Sequence, residues 1–236
     1  MNIALITAGG KGERMHQDIP KQFINVFDKP VIIYTLEAFQ KHPDVDAIAV
    51  VCLDGWQNIL MAYAKQFNIT KLVAIAESGA TSQESIHNGI LKLKETYKDD
   101  DIVIVHDGNR TMVSGDIISD SIAKCQTLGS GIASIPCAEA ILERRDDNSS
   151  IVSIPREKLL RTQTPHAFKL GKLAWAHEEA NRRGITNSVA SCTLMIELGE
   201  PVYFSSGSEK NIKLTTVDDI EIFKALLKSE KSEWIK

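Results

Sequence analysis

Several short segments of this chain carry residue types that could grip a chain of phosphates. Gly9, Gly10 and Gly12 follow a compact apolar run at 3–6, and Arg14 and Lys21 come shortly after them. Glycines without side chains let a backbone approach a ligand closely and point N–H groups at phosphate oxygens, while the two cations add fixed positive charge. Asp107 and Arg110 stand in His106-Asp107-Gly108-Asn109-Arg110, directly after an apolar run at 102–105, where the chain passes abruptly from core to charge. Gln163-Thr164-Pro165 has Arg156 and Arg161 upstream, and Lys213 lies in Asn211-Ile212-Lys213-Leu214-Thr215-Thr216. Each segment alone reads equally well as a turn, a local ion pair or a solvated charge. Together, cations beside turns in separate segments fit a site that neutralises a polyanion. If that polyanion undergoes phosphoryl or nucleotidyl transfer, catalysis is mostly positioning and charge stabilisation, and no conspicuous general base is required.

Two other phosphate-binding loops do not fit. A dinucleotide turn after Gly10 and Gly12 would need a third glycine at 15, where Met15 stands, and no Gly-Lys-Ser/Thr follows at Walker A spacing. A formal net charge of −4 argues against a general nucleic-acid binder, so positive charge on a ligand must be local and the ligand small. With 236 residues, 43% hydrophobic and 25% charged, the composition is that of a globular protein built as one domain over 1–236. Cys52, Cys125, Cys137 and Cys192 are widely spaced and read as buried thiols in a reducing compartment, with no structural metal implied. The first apolar run has no basic leader and no stretch is long enough to span a bilayer, so a cytoplasmic protein without a membrane partner is expected.

The elements that must position these residues follow from hydrophobic periodicity. Short apolar runs at 3–6, 47–52, 72–76 and 102–105 alternate with helical patterns at 31–41, 55–67 and 83–97. Near-continuous apolar strands are those buried on both faces, so the fold class is α/β: a single, mostly parallel twisted sheet with helices on both faces. Ligands of such sheets sit at the carboxyl ends of strands, which is where the 7–15 loop and 106–110 fall. After 130 the pattern changes. Strand-like pieces at 132–136, 140–143 and 151–154, with the polar turn 144–150 between the last two, predict a projecting β-arm over about 137–158. A lone hairpin cannot bury both faces, which points to a second subunit against it. Residues 169–183 read as a helix stopped by Gly184, 216–227 as a last helix, and 228–236 as a frayed charged tail.

Taken in order, A-G-G-x-G-x-R-M at 8–15, P-K-Q at 20–22, Ser85 before a helix, H-D-x-x-R at 106–110, Q-T-P at 163–165 and N-I-K-x-T at 211–215 resemble the methylerythritol-phosphate and ribitol-phosphate cytidylyltransferases. The resemblance runs over about 2–227. It implies the nucleotide-diphospho-sugar transferase fold, CTP and a small phosphorylated alcohol as substrates, a CDP-alcohol and pyrophosphate as products, Mg²⁺ on the triphosphate, and a homodimer joined through the arm. It further implies that the loop bearing Gly10 and Gly12 wraps the triphosphate and that Thr7, Ala8, Gly9, Gly79 and Ala80 read cytosine through backbone groups, with Ser85 on the nucleotide. By the same resemblance Arg14, Lys21 and Lys213 are catalytic and stabilise charge developing at the α-phosphorus. Asp107, Arg110 and Thr164 bind the acceptor, and Arg156 reaches its phosphate from the neighbouring arm. A carboxylate at a strand end fits Mg²⁺ as well as the acceptor, so both placements of Asp107 stay open.

Some positions depart from the family pattern. Glu139-Ala140 stands where Asp-Thr is typical, Thr186-Asn187-Ser188 where Thr-Asp is, and Ser82 where an Arg is frequent. The nucleotide half is intact and the acceptor half altered, so the acceptor's identity stays open between ribitol, methylerythritol and other polyol phosphates. Two further readings are another nucleoside triphosphate on the same fold and a catalytically weak nucleotide-binding regulatory subunit.

Overall fold

Seven strands make one twisted sheet whose edge collects the candidate residues. The computed structural model describes residues 1–10 and 19–231. In chain order the elements are β1 (Asn2–Ala8), a 3-10 turn at Lys21–Phe23, the short pair β2 (Asn25–Val26) and β3 (Lys29–Pro30), α1 (Val31–Lys41), β4 (Ala47–Cys52), α2 (Gln57–Gln66), β5 (Leu72–Glu77), α3 (Ser82–Lys94), β6 (Ile102–Asp107), α4 (Gly115–Leu128) and β7 (Ser130–Pro136). There follow β8 (Ile141–Glu143), β9 (Val152–Ile154), a 3-10 turn at Arg156–Lys158, β10 (Leu160–Lys169), α5 (Leu170–Arg183), α6 (Ser191–Glu197), β11 (Phe204–Ser206) and α7 (Val217–Lys231).

The sheet order is β11-β7-β10-β6-β1-β4-β5. β1 pairs in parallel with β4 and β6, β4 with β5, and β7 with β11, whereas β10 runs antiparallel to both β6 and β7. β10 is therefore the single reversed strand, and the other six end at one edge. The apolar runs explain the centre: Ile3 to Ile6 of β1 and every residue of β4 are buried, because helices cover both faces. One face packs under α1, α2 and α4 through Leu36, Phe39, Leu60, Ile118 and Ile122, the other under α3, α5 and α6 through Ile90, Leu93, Leu173 and Met195. α7 closes a smaller cluster in which Leu214 and Phe223 meet Val26 and Val31.

The predicted helices and the mostly parallel sheet are present. Gly184 ends α5 with φ 72°, a left-handed conformation that glycine adopts without a Cβ penalty. β8 and β9 pair antiparallel as the arm hairpin, between the end of β7 and the start of β10, so its root lies at the carboxyl edge. Five elements differ from the sequence reading. Gln163-Thr164-Pro165 is no turn but lies inside β10, which continues across it with a register shift between Thr162 and His166. α4, α6 and β11 form in segments given no element from sequence. The last helix extends to Lys231, so residues 228–231 are helical rather than frayed, and the rest of the tail lies outside the described residues.

Candidate active site

The parallel register sets Thr7 of β1 opposite Asp107 of β6, and this pairing brings the glycine loop and the 106–110 segment side by side. The junction is tight. Gly108 N–H donates to the Thr7 carbonyl at 2.9 Å and Thr35 Oγ1 to the Gly108 carbonyl at 3.0 Å. Gln22, fully enclosed, donates its amide to the carbonyls of Ala8 at 2.7 Å and Gly10 at 3.1 Å, fixing the start of the loop next to Lys21. At Gly9 a Cβ would lie 2.4 Å from that of Ser78, so only glycine lets the two loops meet so closely. Gly12 and Arg14 lie outside the described residues.

Asp107 is the hub. Arg110 Nε donates to one carboxylate oxygen at 3.1 Å and Lys213 Nζ to the other at 3.0 Å, while the Asp107 N–H donates to Thr164 Oγ1 at 3.0 Å. Burial pushes the Asp107 carboxyl up, but the Lys213 and Arg110 charges outweigh it and hold it well below the usual carboxylate range. Lys213 comes from far along the chain, delivered by a clip in which Leu214 N–H donates to the Asn109 carbonyl at 2.9 Å and Asn109 Nδ2 to the Leu214 carbonyl. The same loop is tied to β10: Asn211 Nδ2 donates to the Thr164 carbonyl at 2.8 Å, and Gln163 exchanges bonds with Ser208 at 2.8 and 3.1 Å. Arg110 Nη1 adds a bond to the Asn211 carbonyl at 2.6 Å. Beneath this edge His106 and His166 are buried, and burial lowers each to about 4, so both are neutral near pH 7. His106 Nε2 lies 3.1 Å from the Arg110 carbonyl, an acceptor only, which requires the proton on Nε2.

The structure thus brings Thr7, Ala8, Gly9, Gly10, Lys21, Asp107, Arg110, Thr164 and Lys213 to one edge. The segment that carries Gly79 and Ala80 is organised from the first turn of α3. Thr81 caps the helix by accepting from Glu84 N–H at 3.1 Å, Ser85 Oγ accepts from Gly79 N–H at 3.0 Å, and Glu84 accepts from Ala80 N–H at 2.7 Å. The Gly79 and Ala80 amides are therefore engaged within the chain, and Ser85 shapes the loop. Arg156 stands apart: it donates to the Ala138 carbonyl at 2.8 Å, pairs with Glu157 at 3.7 Å, and takes no part in the Asp107 cluster of its own chain. Sequence reasoning passed over the buried amides Gln22, Gln83, Asn109, Gln163 and Asn211 as working parts. Their signal was position, since Gln22, Asn109, Gln163 and Asn211 each sit within or beside a motif.

Among the described residues no group of three or more His, Cys, Asp or Glu could hold a metal ion, and both Asp107 oxygens are engaged by cations. Asp107 is the one strand-end carboxylate in this cluster. No helix of the described residues is long and apolar enough to cross a membrane.

Gly9 and Gly10 at the end of an interior parallel strand, beside cations gathered on a strand-end carboxylate, fit a nucleotidyltransferase of the α/β class. Residues 2–229 match the 2-C-methyl-D-erythritol 4-phosphate cytidylyltransferase (IspD) family, and the chain belongs to that family. It is 41% identical to the ribitol-5-phosphate cytidylyltransferase of Lacticaseibacillus paracasei over 98% of this chain and 100% of that one. It is 34% identical to the 2-C-methyl-D-erythritol 4-phosphate cytidylyltransferase of Clostridium novyi, over 98% of each chain. The crystal structure of the Francisella tularensis 2-C-methyl-D-erythritol 4-phosphate cytidylyltransferase superposes with a TM-score of 0.80 at 27% identity, covering 95% of this chain and 98% of that one.

Proposed function

We propose that the enzyme transfers CMP from CTP to ribitol 5-phosphate, giving CDP-ribitol and pyrophosphate. The observation that carries the transfer is the Lys213–Asp107–Arg110 cluster beside the glycine loop. An acceptor phosphate oxygen attacks the α-phosphorus of CTP, the bond from that phosphorus to the bridging oxygen breaks, and pyrophosphate leaves with the electron pair. Both partners are anionic, so the barrier is largely electrostatic, and preorganised cations lower it. Asp107 keeps Lys213 and Arg110 in place before substrates arrive. By the family resemblance Lys213, Lys21 and Arg14 stabilise the developing charge, the loop of Gly10 and Gly12 wraps the triphosphate, and Thr7, Ala8 and Gly9 read cytosine. Mg²⁺ supplies further neutralisation on the phosphates when bound. Ribitol 5-phosphate is favoured over methylerythritol 4-phosphate as acceptor by the higher identity to the relative named for it.

We further infer a homodimer through the arm. Its hairpin leaves Leu142 62% and Ile151 78% exposed, and a two-stranded hairpin is only marginally stable by itself in water. Arg156 sits at the base of this arm, which suits delivery to the partner's acceptor phosphate. The test is pyrophosphate release with CTP, ATP, GTP or UTP, Mg²⁺, and ribitol, methylerythritol or glycerol phosphate. Rapid release with CTP and ribitol 5-phosphate alone is expected. A preference for methylerythritol 4-phosphate would reassign the acceptor, another nucleotide would reassign the donor, and CTP binding without release for any acceptor would favour a regulatory subunit.

A further inference from the structure

We propose that Trp56 is a positioning residue for Lys21, acting through the ring of Phe23. This rests on Lys21 serving the cytidylyl transfer proposed above. Lys21 heads a 3-10 turn of three residues, in which Phe23 N–H donates to the Pro20 carbonyl at 2.8 Å and Ile24 N–H to the Lys21 carbonyl at 3.3 Å. So short a turn has little backbone bonding of its own and takes its place from its side chains. Two of them act as anchors. Gln22 grips the Ala8 and Gly10 carbonyls, and the buried Phe23 stacks on Trp56 with ring centroids 4.7 Å apart and planes at 23°. A stacked aromatic pair has a preferred geometry that an ordinary apolar contact lacks, so it sets the orientation of the turn as well as its depth.

Trp56 is itself held at the carboxyl edge of the sheet. It caps α2: its N–H donates to the Leu53 carbonyl at 3.1 Å, and its carbonyl accepts from Leu60 N–H at 2.9 Å. Leu53 N–H donates to the Ala8 carbonyl at 3.2 Å, the same oxygen that Gln22 holds. The exits of β1 and β4 and the Lys21 turn thus converge on one carbonyl, and the Phe23–Trp56 stack is a second tie between the β4 exit and the turn. In the sheet order β1 stands between β4 and β6, so the stack is set apart from the Asp107, Arg110 and Lys213 cluster and adjoins the glycine loop instead. Loosening the stack therefore displaces Lys21 and leaves the acceptor residues in place.

The test is a double-variant cycle read as pyrophosphate release from CTP and Mg²⁺ with ribitol 5-phosphate. Trp56→Ala should lower kcat about tenfold or more, since a small misplacement of a charge-stabilising group is costly in rate, with the acceptor KM within about twofold. Trp56→Phe keeps a ring against Phe23 and should recover most of the loss. In a Lys21→Ala background, Trp56→Ala should lower kcat by less than about twofold, because the group it positions is gone. A full further loss in that background is what a merely structural role gives, and it overturns the proposal. So does a Trp56→Phe enzyme as slow as Trp56→Ala. Lys21→Ala turning over like the parent overturns the functional reading of Lys21 and the proposal with it, whereas an impaired Lys21→Ala beside an intact Trp56→Ala overturns the proposal alone. Should Trp56→Ala not fold, Trp56→Leu, which keeps apolar volume without the ring, is held to the same criteria. If the parent is silent with ribitol 5-phosphate, the functional reading fails by itself and the cycle is read on the Kd for CTP with Mg²⁺. Coupled losses there sustain the proposal and independent ones overturn it.

Discussion

Arg110 and Lys213 sit at nearly equal distances from Asp107, 3.1 and 3.0 Å, yet their removal should have opposite consequences. At an effective dielectric of about 20, either pair has a gross attraction of about 5 kcal/mol. Their surroundings separate them. The Lys213 side chain is 43% exposed, so water and salt reduce its net contribution to stability to below about 1 kcal/mol. The Arg110 side chain is 12% exposed and also holds the Asn211 carbonyl, so deleting it leaves a half-buried carboxylate to Lys213 alone and a carbonyl without this donor, at a cost of about 3 kcal/mol. For a chain of 236 residues, Arg110→Ala should lower Tm by about 6–12 °C and Lys213→Ala by less than about 4 °C. Turnover should order them differently. Lys213→Ala removes a donor to the transition state, and kcat should fall by about 10²–10³-fold in a folded protein. Scanning calorimetry and steady-state pyrophosphate release on the same preparations separate the two effects. A Lys213→Ala enzyme that turns over within about threefold of the parent, or one destabilised as much as Arg110→Ala, would refute this division of labour.

Burial lowers His106, His166 and His177 to about 4, so the unfolded chain binds more protons than the folded one between about pH 6.5 and 4. Stability is then complete above about pH 6.5 and is lost as pH falls through that window, by at most about 4 kcal/mol per pH unit if all three act together; urea midpoints should drop from pH 7 to 5, and less steeply in His177→Phe. The Asp107 carboxyl is held below this range, so the acid limb of the rate profile should not shift to its titration. Gly9→Ala would force a Cβ to 2.4 Å from that of Ser78, and the CTP KM should rise about tenfold or more while the acceptor KM changes little; an unchanged CTP KM would remove the first loop from nucleotide binding. Ile151→Asp with Leu142→Asp on the arm should convert a dimer to a monomer in sedimentation, since both side chains are exposed in the isolated chain. An unaltered sedimentation coefficient would dissociate the arm from assembly.

Sequence carried the centre of the fold because β1, β4 and β6 are buried on both faces and so read as unbroken apolar runs. β10 was hidden by its own chemistry. Thr164-Pro165 reads as a turn, and only the flanking strands show that β10 resumes beyond it with a register shift. α6 spans seven residues, too few for a periodic signal. At the site the charged residues were legible and the amides were not. A cation next to a turn announces itself locally, whereas Asn109 acts on Leu214 105 positions away and Gln83 acts on Ser188 at the same separation. Such long-range partners leave no local pattern. Arg156 was legible as a cation, and its place on the arm, outside its own chain's cluster, is a property of topology that spacing does not encode.

The reaction itself can be followed by phosphorus NMR on enzyme mixed with CTP, Mg²⁺ and ribitol 5-phosphate. The expected spectrum shows the triphosphate and monoester resonances declining together as a diphosphate diester and free pyrophosphate appear in equal amounts, and Lys213→Ala should slow all of these changes alike. Release of inorganic phosphate in place of pyrophosphate, or CMP without a new diester, would contradict cytidylyl transfer at this site.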